Sequence, residues 1–156
     1  MTKLNRRVVV LAAMACIAAP LTASAAEYGT KDEAKALALK AVALFKDKGE
    51  STFALFNDKK GPFADRDLYV FVLDPEGKVL AHGANDKLVG KSLAQLKDAD
   101  GKLFVQDMMS IVKANKSGWV DYRWPNPVSK EIEPKTTYVV TQGGIGFAVG
   151  AYAAGR

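Results

Sequence analysis

The residues best suited to chemistry lie between Gly118 and Tyr138, in the run GWVDYRWPNPVSKEIEPKTTY. This run holds two Trp, two Tyr, three Pro, one Arg and two Lys. Tyr and Trp offer apolar faces with a polar handle. A Lys or Arg pairs strongly with a carboxylate where water is excluded. Prolines on both sides stiffen the segment and lower the ordering cost of binding. Tyr122, Trp124, Lys135 and Tyr138 therefore fit a grip on a small anionic or polar molecule. They also fit a plainer reading, in which Trp119 and Trp124 are core and Lys135 is a solvated edge charge. Composition and period leave the two open.

Other chemistries find less support. His82 is the single His. A Ser-His-Asp hydrolase needs one, but no Gly-x-Ser-x-Gly, His-Glu-x-x-His or phosphate-binding Gly-rich loop accompanies it. Gly143-Gly144-Ile145-Gly146 lies between strands rather than before a helix. At a strand end, His82 reads as a structural hydrogen-bonder or as a donor lining a pocket. Asp74-Pro75-Glu76-Gly77 and Asp98-Ala99-Asp100-Gly101 pair carboxylates near Gly. Both lack the twelve-residue loop with its closing Glu that would hold calcium, so they read as solvated turns. No catalytic residue, metal ligand or cofactor is expected.

The 156 residues fit one domain, since domains commonly run about 100–200 residues. Hydrophobic residues make up 49% and charged residues 25%, which suits a globular chain. The formal charge is +5, but Lys3, Arg6 and Arg7 lie in a leader-like segment. Removing these three of the 22 basic residues leaves 19 against 17 acids, a charge of +2. No dense basic cluster follows, so nucleic acid is not an expected partner. The one Cys, Cys16, lies in the same segment, which excludes a disulfide framework or thiol chemistry downstream.

Residues 1–26 read as a secretory signal peptide. Lys3, Arg6 and Arg7 form a positive start and Val8 to Ala19 an apolar run. Pro20 ends that run, and Ala23-Ser24-Ala25 or Ser24-Ala25-Ala26 offers small residues for cleavage. The apolar run falls short of the roughly 20 residues of a membrane span. A periplasmic mature chain with no membrane span, residues 27–156, is the expectation.

The elements that must position the candidate residues follow in order. Thr30 and Glu33 make a capping box. Ala34, Leu37, Ala38, Ala41, Leu44 and Phe45 then form one helical stripe, and Gly49 stops the helix. Ser51 is expected to cap a short second helix. Leu68 to Leu73 is apolar on both faces and reads as a central strand. A turn leads to a second strand over Lys78 to His82, and a helix is expected from Lys102 to Lys116. Three strands close the chain: Trp119 to Trp124, Pro134 to Thr141 and Gly146 to Tyr152. Alternation puts Val120, Tyr122 and Trp124 on one face and Trp119, Asp121 and Arg123 on the other. The sum is an α+β fold: an antiparallel five-stranded sheet, of PAS-like order, with helices on one side and a long helix in front.

The ordered set of segments resembles a known family. Tyr69 to His82, reading YVFVLDPEGKVLAH, is similar to the opening hairpin of single Cache domains of the second type. Leu88 to Leu93 and Leu96 to Lys102 continue the likeness. It tightens at Gly118 to Pro127 and Pro134 to Val139, and closes at Phe147 to Tyr152. The resemblance implies a PAS-like sheet and extracytoplasmic sensing of small molecules, often short carboxylates. It implies ligand contacts from Tyr69, Phe71, His82, Tyr122, Arg123, Trp124, Lys135 and Tyr138. Alternation turns Arg123 away from its neighbours, which leaves Lys135 as the expected cation. Such domains usually sit between membrane helices of chemoreceptors or kinases. With no second apolar span before Arg156, a free-standing form is expected, which binds its own ligand or serves a membrane receptor or kinase. An accessory interaction module without a ligand is the alternative.

Overall fold

Leu68–Leu73 is buried along its whole length, so both faces of this strand need cover. That requirement organises the computed structural model, which describes residues 28–153. The expected leader and cleavage site lie outside the described residues. The chain order is α1 (Lys31–Lys48), a 3₁₀ turn (Gly49–Thr52), α2 (Phe53–Phe56), β1 (Ala64–Asp65), β2 (Leu68–Leu73) and β3 (Val79–His82). Then come a second 3₁₀ turn (Asp86–Leu88), α3 (Phe104–Lys113), β4 (Ser117–Pro125), β5 (Ile132–Gln142) and β6 (Ile145–Tyr152).

The strands form an antiparallel sheet in the order β1–β2–β6–β5–β4, with β3 also on β2. β1 and β3 share one edge of β2. The Val70 N–H donates to Phe63 C=O and its C=O accepts from Gly83 N–H, and both groups of a strand residue point the same way. The two-residue strand β1 adds a sixth member to the five expected.

The helices cover opposite faces, which corrects the expectation of helices on one side. α1 brings Ala34, Ala38 and Ala41 against Leu68, Val70, Val72, Phe147 and Val149. α3 brings Phe104, Val105, Met108 and Val112 against the alternate residues Tyr69, Phe71, Leu73, Val139 and Ala148. A strand apolar on both faces can be buried only in this way.

Local signals fix the ends of the elements. Thr30 Oγ1 accepts from Glu33 N–H, and Glu33 Oε2 accepts from Thr30 N–H at 2.7 Å. That backbone donor, with the Arg66 guanidinium at 2.8 Å, holds the Glu33 carboxyl down at about 2. Gly49 ends α1 at φ +60°, a value favouring Gly. Ser51 does not cap α2; its hydroxyl donates back to Lys48 C=O within the 3₁₀ turn. Helix α3 begins two residues later than its apolar spacing suggests. Asp98 Oδ1 accepts from the N–H groups of Asp100 and Lys102, which holds that stretch as a turn. Asp74 Oδ1 does the same for Glu76 and Lys78. In both turns one carboxylate oxygen serves backbone donors.

Strand β4 is a sheet edge. Part of it is occupied: Arg123 N–H donates to Asp98 Oδ2 at 2.9 Å, and Lys102 Nζ donates to Asp121 C=O at 2.6 Å. Side chains covering edge groups in this way limit pairing with other chains.

Candidate functional site

The face under α3 gathers most of the candidate residues. Tyr122 lies opposite Lys135 in the β4–β5 ladder, and Lys135 lies opposite Tyr152 in the β5–β6 ladder. Phe71 lies opposite His82 in the β2–β3 ladder. These cross-strand registers bring Tyr69, Phe71, His82, Tyr122, Trp124 and Lys135 onto one face of the sheet.

Lys135 lies among Tyr69, Phe71, Tyr122 and Tyr152. Only 2% of the residue is exposed. Its Nζ lies 2.7 Å from Tyr69 Oη and 3.1 Å from Tyr152 Oη. The two phenol oxygens are 3.2 Å apart, and the Tyr152 hydroxyl donates to Pro125 C=O at 2.9 Å. Nζ also sits 4.1 Å from the centre of the Tyr69 ring and 4.5 Å from that of Tyr152. Among the described residues no carboxylate oxygen comes within 4.0 Å of it. Burial pushes its pKa well below the ordinary Lys value, and the charge of Asp67 only partly opposes this. Burial pushes the Tyr69, Tyr122 and Tyr152 hydroxyls up, so they remain protonated donors.

His82 has a defined tautomer. Its Nδ1 accepts from the N–H groups of Ala84 at 3.2 Å and Asn85 at 2.9 Å. A nitrogen accepting these bonds carries no proton, so the neutral ring bears its proton on Nε2. Burial holds its pKa down at about 3. The ring stacks on Phe71 with centroids 5.6 Å apart and leans on Tyr69 at 5.0 Å.

The roof comes from α3. Phe104 lies flat on Tyr122, 4.1 Å between centroids with 5° between planes, and meets Trp124 at 5.4 Å. Tyr122 Oη pairs with Thr137 Oγ1 at 3.0 Å. The cavity left between Phe71, His82, Phe104, Tyr122 and Trp124 measures about 20 Å³, room for about one water. Beyond Tyr69 lies an open groove of about 250 Å³, lined by Lys59, Arg66, Gly83, Pro127 and Lys130 among others. Tyr69 borders both spaces.

Two candidates lie elsewhere. Tyr138 is three residues from Lys135 on one strand, so its side chain emerges on the α1 face. Its ring packs 5.1 Å from that of Trp119, with Lys35 Nζ 5.4 Å away. Arg123 faces the same way as Trp119, and its Nη2 donates to Ile132 C=O at 3.1 Å. The structure does not bring either to Lys135.

Four residues around the site escaped sequence reasoning: Tyr152, Phe104, Gly150 and Asp67. Tyr152 had a usable signal, since it ends a strand antiparallel to the one carrying Lys135. Asp67 is fully buried; its Oδ1 accepts from Gly29 N–H at 2.7 Å and its Oδ2 from Asn126 Nδ2 at 3.4 Å. Asn126 Nδ2 also donates to Glu133 Oε2 at 2.9 Å. No local pattern marks Asp67, because its partners lie 38 and 59 residues away.

The fold has known counterparts. A methyl-accepting chemotaxis protein of Vibrio parahaemolyticus shares the fold, with a TM-score of 0.66 at 21% identity over 78% of this chain and 87% of that one. A periplasmic sensor domain of a chemotaxis protein superposes with a TM-score of 0.62 at 29% identity, covering 79% and 90% of the two chains. A Cache chemosensory domain described for its carboxylic acid recognition gives 0.60 at 27% identity, covering 79% and 88%. In sequence, 75 residues are 35% identical to the chemotaxis protein McpP of Pseudomonas putida, which is 48% of this chain and 14% of that protein. Cache sensor domains of chemotaxis receptors are thus its relatives in both sequence and structure. Residues 7–153 match the model of Single Cache domain 2, and the chain belongs to that family.

Proposed function

We propose that this chain is a non-catalytic periplasmic domain that binds and senses a short carboxylate or a closely related metabolite. The observation that carries the reading is Lys135: a fully buried amine, ringed by aromatics, without a carboxylate in contact among the described residues. A ligand carboxylate supplies that partner. His82 Nε2–H offers a second donor, and the Tyr122–Phe104–Trp124 wall excludes water. The likeness to a Cache domain with carboxylic acid recognition supports the same class. The space of about 20 Å³ is smaller than any carboxylic acid and Lys135 does not line it, so binding requires the aromatic wall around it to move. Catalysis by His82 is disfavoured, because its Nδ1 is committed to two backbone donors. The ligand state would pass to a membrane receptor or kinase, with residues 1–26 acting as the export signal.

The test is thermal shift of the chain against two- to four-carbon carboxylates, with Lys135→Ala and Trp124→Ala as controls. A shift in the wild type, lost in both variants, is expected. Failure of every acid to shift the wild type sinks the reading. A second reading, an accessory interaction module without a ligand, draws on the tight closure of the cavity. It predicts capture of a membrane sensor by the chain with no response to any acid.

A further inference from the structure

Lys135 is buried among phenols and ring faces without a carboxylate in contact to offset a positive charge. The Tyr152 hydroxyl is spent on Pro125 C=O, so its oxygen can only accept from Lys135. The Tyr69 hydroxyl, 2.7 Å from Nζ, can donate to the lone pair of an uncharged amine. In that arrangement both hydroxyl protons, the amine lone pair and one amine N–H are paired without a formal charge, and the second N–H has no protein acceptor among the described residues. An ammonium would instead donate to both phenols. It too would leave one N–H without a protein acceptor among the described residues, and it would add a charge with no carboxylate within 4.0 Å, in surroundings where an unpartnered charge is costly.

The titratable groups facing Lys135 do not supply the missing charge. Tyr69 on β2, Tyr122 on β4 and Tyr152 on β6 stay protonated. His82 on β3 is neutral above about pH 3. Among the described residues, Asp67, in the β1–β2 turn, is the anion that acts on Lys135. Its oxygens are held by Gly29 N–H and Asn126 Nδ2 and do not reach Nζ.

We propose that Lys135 is neutral while the pocket is empty and takes up a proton when a carboxylate enters, so that the site binds an acid as carboxylate plus proton. The step balances: R–COO⁻, the free amine and one H⁺ from buffer become a carboxylate–ammonium pair. The inference rests on the carboxylate reading above. Its consequence is a sensor whose apparent affinity depends on external pH as well as on ligand concentration. Where the free amine predominates in the empty protein, each unit of rising pH costs about tenfold in affinity.

Calorimetric titration of the wild-type chain with propionate tests this, at pH 8 in buffers of different ionisation enthalpy. The observed heat is expected to scale with that enthalpy, with a slope approaching one proton taken up. The apparent Kd is expected to rise roughly tenfold per pH unit above the ligand-free titration of the amine. Lys135→Gln keeps a donor but cannot titrate; its residual binding should be weak and independent of buffer. Propionate binding without proton uptake in the wild type overturns this inference and leaves the carboxylate reading standing. Proton uptake persisting in Lys135→Gln also overturns it, by moving the titration to another group such as Asp67. Absence of propionate binding overturns it, and silence across the wider acid panel removes the carboxylate reading as well.

Discussion

The side chain of Lys135 lies across Gly150. A methyl group on Gly150 would come within 2.1 Å of Lys135 Cε and 2.4 Å of Thr137 Oγ1. The Gly is there for space, because no positive φ marks this position. Only a residue without a side chain lets an amine stem run flat across the sheet to reach Tyr69 and Tyr152.

Gly150→Ala should therefore displace Lys135 while leaving the backbone conformation accessible. Overpacking of this kind costs about 1–3 kcal/mol, which chemical denaturation would read. The same variant should lose the thermal response to carboxylates. A folded Gly150→Ala chain that responds like the wild type would place the anchor elsewhere.

His82 makes the stability of the domain sensitive to acid. Its folded pKa is about 3, against an ordinary value of 6.5. As pH falls from 6.5 towards 3, the unfolded chain gains a proton that the folded chain refuses. Stability drops through this window, by roughly 4 kcal/mol at its foot. His82→Asn retains a side-chain oxygen to accept from Ala84 and Asn85 but has nothing to titrate. Its plot of unfolding free energy against pH should be flatter between pH 6.5 and 3. Asp67, whose pKa burial raises, acts with the opposite sign above 3.8 in both chains, so the difference between them isolates His82. Parallel slopes in the two chains would rule out the titration assigned to this ring.

Much of the fold was legible because strong local signals agreed with the long-range packing. The Thr30–Glu33 box, the Asp74 turn and the all-apolar β2 each specify a local geometry. The site was only half legible. Parity along β4 separated Tyr122 and Trp124 from Arg123, and the structure keeps that separation. The same parity, applied to β5, would have removed Tyr138 from the company of Lys135. The covering of both sheet faces was implicit in a strand with no polar side. Asp67 and Gly150 were out of reach, since their roles arise from contacts across strands and turns rather than from spacing.

Asp67 ties the start of α1 to the sheet. Asp67→Ala would leave the buried Gly29 N–H without its acceptor, at a cost of about 1–3 kcal/mol. Asp67→Asn keeps an oxygen for Gly29 and should cost less. Hydrogen exchange at the Gly29 amide should accelerate markedly in the Ala variant and only slightly in the Asn variant. Equal acceleration in both would show that the carboxylate charge, rather than the hydrogen bond, holds this segment.

The two tryptophans report on opposite faces of β4. Trp119 is 39% exposed on the α1 side, with Lys31 Nζ 5.4 Å from its ring. Trp124 is half-buried beside Phe104 and Tyr122. Trp119→Phe should leave a shorter-wavelength emission, from Trp124, that changes when propionate is added. Trp124→Phe should leave a longer-wavelength emission that propionate does not move. Tyr138→Phe and Arg123→Gln should shift the propionate affinity less than about twofold, because both side chains share the Trp119 face. The reverse pattern, a response carried by Trp119 and lost in Tyr138→Phe, would move the ligand to the α1 side of the sheet. That outcome would also demote Lys135 to a structural residue, since its amine lies among the α3-side residues Tyr69, Tyr122 and Tyr152.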